Sequence, residues 1–334
     1  MTETATDRGA QQSWLSRIAR GLLALVVVLA AAGYLYENIS EARDQRFNPQ
    51  AGRLIDVGGD KMHIDCTGEG NPAVILDSGP GDSYISWRKV QPQISKFTRV
   101  CSYDRAGIGY SDPSSRPRTS KVMAEELHAL LQAAGVAAPY VLAGHSMGGY
   151  DVRLYASLYR NEVAGMVLVD SAHPEQGERL PGFNEADAHM IRQLELMEFS
   201  TPFGLPRLLG FCSDDARVRA AECNFHTFRE KVAEEKALPE SASQAAATGT
   251  LGDLPLVVLS HDPDKPALGL PPEMLGPVET AWTQMQEELA HLSTRGARTV
   301  AKNSGHYVQL DRPDAVVEAV QGIVEQARAA ALKP

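Results

Sequence analysis

The sequence predicts an α/β fold built around a mainly parallel sheet, and two observations predict it. Short apolar runs alternate with helix-favouring segments over most of the chain. One of those runs, Tyr140-Val141-Leu142-Ala143, leads into Gly144-His145-Ser146-Met147-Gly148 and then into a segment with Val152, Tyr155, Ala156 and Tyr159 at i, i+3, i+4, i+7. Strand, G-x-S-x-G and helix in that order describe a nucleophile elbow. Its tight turn forces the central serine into an unfavourable backbone conformation, and the residues two positions away must be nearly free of side chain.

The elements follow in chain order. Arg53 to Val57, Met62 to Cys66, Ala73 to Leu76 and Thr98 to Tyr103 read as strands, with Gly58-Gly59-Asp60 as a hairpin turn between the first two. Lys121 to Ala134 has helix-favouring composition, Val141 to Ala143 is a buried strand, Asp151 to Leu158 is the helix of the elbow, and Met166 to Asp170 is another buried strand. From Ser171 to Leu251 the alternation stops, and the composition is helical with scattered Phe, Leu and Met. This stretch predicts a helical cap over the C-terminal edge of the sheet. The β pattern resumes at Leu254 to Leu259, followed by a helix near Val278 to Leu292, a strand at Thr299 to Ala301 and a last helix from Ala315 to Ala327.

The N-terminus differs in kind. Gly21 to Tyr36 is uncharged and almost wholly apolar, and at about 1.5 Å per residue it covers roughly 24 Å of a hydrocarbon core about 30 Å thick. Trp14, Tyr34 and Tyr36 sit where interfacial aromatics are expected. A single-pass anchor over 21–36 is the preferred reading. The alternative is a cleaved signal peptide, with Ala30-Ala31-Ala32 as the small-residue site, but the apolar run continues past it. Arg8, Arg17 and Arg20 precede the span while Glu37 and Glu41 follow it, so the body is expected to face away from the cytoplasm. The expected organisation is a cytoplasmic tail over 1–20, a charged linker over 37–51, a core over 52–170 and 252–330, and the cap over 171–251.

Composition bounds the function. The 334 residues are 43% hydrophobic and 22% charged, which excludes a disordered or polytopic membrane protein. A net charge of -10 and no basic stripe exclude a nucleic-acid partner. Four cysteines fit an oxidising compartment, and Cys66 with Cys101 and Cys212 with Cys223 are the pairings expected, with buried free thiols as the alternative.

A serine hydroxyl becomes nucleophilic only when a base takes its proton and a third group holds the base. The base expected is His306, in Asn303-Ser304-Gly305-His306-Tyr307 between the last strand and the last helix. The acid is expected just past a strand in Leu259-Ser260-His261-Asp262-Pro263-Asp264, with Asp264 first and Asp262 and Asp170 as rivals. Met147 N–H supplies one oxyanion donor, and the turn Asp77-Ser78-Gly79-Pro80-Gly81-Asp82 is expected to supply the second. No H-E-x-x-H occurs, and His63-Ile64-Asp65 and His261-Asp262-Pro263-Asp264 lack a third ligand at useful spacing, so no metal or cofactor is expected.

The motifs V-I-L-D-S-G-P-G, Y-D-R-A-G-I-G-Y-S-D from Tyr103 to Asp112, G-H-S-M-G-G and S-G-H-Y together resemble the α/β-hydrolase superfamily, and more narrowly its membrane-anchored bacterial members. The resemblance covers about Arg53 to Ala327. It implies an α/β-hydrolase fold with a mostly parallel eight-stranded sheet, and an esterase, lipase, amidase or peptidase acting on a small-molecule ester or amide. A ligand-binding receptor on the same fold is the non-catalytic alternative. Two departures stand out. Pro80 has no N–H to donate, which shifts the expected second donor to Gly81, and the H-G-G-P-G turn of proline-releasing peptidases is absent. Serine at the elbow, where haloalkane dehalogenases carry aspartate, argues against dehalogenation. The Tyr103 to Asp112 turn resembles a structural element of the family and carries no expected catalytic part.

Overall fold

The computed structural model describes residues 5–265 and 272–332. Residues 1–4 of the expected tail and 266–271 within the expected core lie outside the described residues, as does the side chain of Arg8. A long helix, α1 (Ala5–Phe47), precedes the strands β1 (Arg53–Val57), β2 (Asp60–Thr67) and β3 (Ala73–Asp77). A short helix α2 (Gln91–Ile94) leads to β4 (Val100–Tyr103), α3 (Ser120–Ala133), β5 (Tyr140–His145), α4 (Gly148–Leu158) and β6 (Val163–Val169). Six helices then follow without a strand: α5 (Gln176–Arg179), α6 (Phe183–Ser200), α7 (Leu205–Leu208), α8 (Ala216–Glu222), α9 (Phe225–Lys236) and α10 (Leu238–Ala246). The chain ends with β7 (Leu256–Ser260), α11 (Pro272–Ala290), β8 (Gly296–Val300), α12 (Val308–Asp311) and α13 (Pro313–Ala331).

The eight strands form one sheet in the order β1-β2-β4-β3-β5-β6-β7-β8. The β1–β2 and β2–β4 pairs are antiparallel and the rest parallel. Alternate residues of β5 feed opposite layers, as the period of two requires. Tyr140 and Leu142 pack with Leu127 and Leu130 of α3 and Tyr155 of α4, while Val141 and Ala143 pack with Ile94, Val316 and Val320. Helices on both faces explain why the central strands read as continuous apolar runs without polar alternation. The cysteines pair as expected: Cys66–Cys101 joins register partners on β2 and β4, and Cys212–Cys223 closes a loop in the helical insertion.

The stretch expected as a linker over 37–51 is helical for most of its length. Residues 37–47 remain helical and continue α1, because their charges have partners on the insertion. Arg207 bonds Glu37 and Asp44, and Arg219 bonds Asp44. A composition that reads as solvated linker is half of a partly buried ion-pair network. The apolar part of α1 is different, with Leu22 to Leu29 exposed along the helix.

Between β5 and α4 the chain turns sharply, and Ser146 takes φ 54° at the turn. The backbone is held there by the bond from Ser146 N–H to Val169 O of β6. The flanking glycines have a steric reason. A Cβ on Gly148 would lie 2.6 Å from Ser78 O and 2.9 Å from Asp77 O, and one on Gly144 would overlap the Gly148 carbonyl. Gly148→Ala should therefore cost about 1–3 kcal/mol through overpacking against backbone that has no room to move. Thermal melts of the full chain in detergent would check this, and an unchanged midpoint would contradict the close approach of α4 to the turn after β3.

Candidate active site

The C-terminal ends of β3, β5, β6 and β7 and the segment after β8 bring the chemistry-bearing residues together. Ser146 sits at the β5–α4 turn. His145, just before it, is buried, and its Nε2 lies 3.0 Å from the carbonyl of His306, with the two rings 4.7 Å apart between centroids. Burial, then the neighbouring His306, pull the His145 pKa down to about 3, so this ring is neutral.

The acid that meets His306 is Asp170. Its Oδ2 is 2.6 Å from His306 Nδ1. Asp170 follows β6 with φ 43°, fully buried, and its backbone N–H bonds Leu259 O of β7. Burial alone would raise its pKa. Hydrogen bonds from His261 and His306 outweigh burial and hold it well below the ordinary carboxylate range.

Asp264 is not brought to His306. Its side chain is 90% exposed, with Lys302 at 4.0 Å as an ion-pair partner. Asp262 is turned to a structural task, accepting bonds from Asn303 N–H, Lys302 Nζ and Asp264 N–H. It pins the β7 loop to the segment that carries His306. Asp170, directly after β6, reaches the loop that carries His306, whereas Asp262 and Asp264 lie on the loop after β7.

Asp170 has a second imidazole that the sequence reading passed over as a ligand. His261 Nδ1 lies 2.9 Å from both Asp170 oxygens, its backbone N–H bonds Oδ1 at 3.1 Å, and its Nε2 is 2.9 Å from Glu279 on α11. Trp282 Nε1 donates to the same Oδ1 at 2.9 Å. With a carboxylate at each ring nitrogen, His261 can satisfy both only as the cation. Burial pulls its pKa down, but the bonds to Asp170 and Glu279 prevail and raise it to about 10. Both ring nitrogens of His261 are thus occupied by carboxylates. His173, Glu175 and Glu288 lie close enough to share an ion, yet Arg179 already bonds both carboxylates.

On the other side of Ser146 lies the turn after β3. A Cβ on Gly79 would sit 3.4 Å from Ser146 Cβ, so Gly79 is the residue of this turn that approaches the serine. Gly81, the donor expected from sequence, has its N–H committed to Glu234 Oε2 of α9 at 2.8 Å. Among the described residues neither Met147 N–H nor Gly79 N–H has a backbone acceptor outside the regular elements. Arg105 holds this turn: Nη1 bonds Asp77 Oδ1 and Ser78 O, Nη2 bonds Gly79 O, and Nε bonds Glu234 Oε1. Asp77, buried and also bonded by Tyr103 Oη, has its pKa raised to about 6 by burial against the pull of Arg105.

Residues 71–199 match the family model described as α/β hydrolase fold. Over 301 residues the chain is 26% identical to a protein of Hormonema carpetanum named "Probable transporter efuK", covering 82% of this chain and 42% of that one. Over 262 residues it is 26% identical to Uncharacterized protein YqjL of Bacillus subtilis, covering 77% and 85%. The chain thus spans less than half the length of the first of these relatives. A solved thermophilic esterase from Thermogutta terrifontis superposes with a TM-score of 0.59 at 22% identity, covering 83% of this chain and 99% of that one.

The His261 cluster makes a stability prediction with a definite sign. Its folded pKa of about 10 lies above the ordinary 6.5, so its stabilisation is complete below about pH 6.5 and is lost as pH rises through about 10. The difference in melting temperature between the native chain and His261→Gln should therefore shrink steadily from pH 7 to pH 10.5. A difference that stays flat over this range would show that His261 does not carry the charge assigned to it.

Proposed function

The chain has the α/β-hydrolase fold, and we propose that it works as a serine hydrolase, cleaving a carboxylic ester or amide through an acyl-enzyme on Ser146. The observation that carries this reading is the pairing of His306 Nδ1 with Asp170 at 2.6 Å, on the loop next to the strained Ser146 turn. In the proposed reaction Ser146 Oγ attacks the carbonyl carbon while His306 Nε2 takes its proton. Asp170 keeps Nδ1 protonated and stabilises the imidazolium. The oxyanion is held by Met147 N–H and by Gly79 N–H, which replaces Gly81 because the latter already donates to Glu234. Collapse expels the alcohol or amine, which receives the proton from His306. Water, deprotonated by the same nitrogen, then attacks the acyl-serine and releases the acid and the free hydroxyl.

We further propose that α1 anchors the chain in a membrane, with the body on the non-cytoplasmic side. The support is the apolar, exposed stretch of α1 together with two disulfides in the body, which accord with an oxidising compartment.

Labelling by a fluorophosphonate probe should occur on the native chain and vanish in Ser146→Ala; persistent labelling would remove the nucleophile from the scheme. With p-nitrophenyl esters, Asp170→Asn should lower kcat by about 10³–10⁴-fold through loss of the correct tautomer, while Asp264→Asn should leave the rate near that of the native chain. The reverse ranking would return the acid to Asp264.

A further inference from the structure

We propose that the exposed apolar patch formed by Phe199, Leu205, Leu208, Leu209 and Phe211 docks onto the same lipid bilayer that α1 enters, so that the helical insertion rests on the membrane surface. The inference depends on the anchoring of α1 proposed above and adds a second, independent contact to it.

The patch is large and open to solvent: Phe199 is 73% exposed, Leu209 67% and Leu208 60%. Five such side chains exposed within 13 residues, on α6, on α7 and in the loop after it, are a concentration of open apolar surface that soluble proteins seldom present without a partner. It is not loosely attached. The Phe199 ring lies 6.2 Å from that of Phe203, and the Cys212–Cys223 bond ties the segment after Phe211 to the end of α8.

Its depth relative to α1 identifies the partner. A Cβ on Gly33 would overlap the Phe203 carbonyl, and one on Gly204 would come within 2.7 Å of the Tyr36 ring. Gly33 and Tyr36 belong to the uncharged run that ends at Glu37. With a rise of about 1.5 Å per residue, Phe203 is level with a point roughly 6 Å inside the end of that run. Interfacial amphipathic helices bury their apolar faces about 5–10 Å into the headgroup and acyl boundary. If α1 crosses a bilayer up to Tyr36, the residues around Phe203 are therefore already at interfacial depth.

Charge marks the other limit. Arg207, on the same short helix as Leu205 and Leu208, bonds Glu37, the first charged residue beyond the apolar run, and Asp44 two turns further on. Helix α7 is thus divided between an ion-paired side facing the polar part of α1 and an apolar side left open. A water-facing surface gives no reason for that division, whereas a membrane surface at the level of Tyr36 does.

The test uses the full chain reconstituted in phosphatidylcholine vesicles whose acyl chains carry bromine, a contact quencher of tryptophan. Trp14→Phe reports how much of the native quenching comes from α1. Leu208→Trp places a reporter on the patch, and Leu158→Trp, at the exposed end of α4, serves as the control. We expect most of the emission added at position 208 to be lost, as for Trp14, and the emission added at 158 to survive. Unquenched emission at 208 alongside quenched Trp14 would overturn the docking while leaving the anchor intact, whether the patch then faces water or a second copy. Unquenched Trp14 would overturn the anchor itself, and the docking with it.

Discussion

The guanidinium of Arg105 is the interaction on which the site depends most. It is 3% exposed and meets Asp77, the carbonyls of Ser78 and Gly79, and Glu234, with Asp151 of the elbow helix 4.0 Å away. One cation therefore joins three parts of the chain: the turn after β3, the helix after Ser146, and α9 of the insertion. A buried charge of this kind is tolerated only when its partners are complete, and removing one partner typically costs about 3–5 kcal/mol because the remaining charge is left uncompensated. Arg105 thus sets the shape of the turn that faces the serine, without reaching the reacting atoms itself.

Asp170 plays the corresponding part on the histidine side. Four groups converge on its carboxylate: His306, His261 through both ring and backbone nitrogen, and Trp282. Because the His261 backbone N–H and Trp282 Nε1 both bond Oδ1 while His306 bonds Oδ2, the orientation of the carboxylate does not rest on His306 alone. The cost of burying it is offset by His261, whose own charge is balanced by Glu279. Acid, cation and second acid form a short chain running from the loop after β6 into α11.

The elbow was legible in the sequence because its constraints are local. Glycines at 144 and 148 answer to backbone contacts within a few residues or across one neighbouring strand, and the strand, turn and helix are contiguous. His306 was legible from its position between the last strand and the last helix. The partner of His306 was not, because spacing past β7 favoured Asp264, whereas the carboxylate that meets His306 Nδ1 is that of Asp170, at the end of β6. A cue was present: Asp170 closes an unbroken apolar strand, where an uncompensated carboxylate would be costly. Gly81 was misread for a similar reason, since Glu234, which takes its N–H, is 153 residues away. The stretch after Tyr36 looked like linker because charge alone does not reveal that Arg207 on α7 and Arg219 on α8 meet it. Arg105 lay inside a recognised structural turn, and its reach to the insertion had no local signature.

The bond between Gly81 N–H and Glu234 has a consequence for how the molecule moves. Helix α9 cannot swing away as a rigid lid without releasing both that amide and the Arg105 contact that shapes the neighbouring carbonyls. The position of the insertion and the shape of the turn beside Ser146 are accordingly geared together through one glutamate, Glu234.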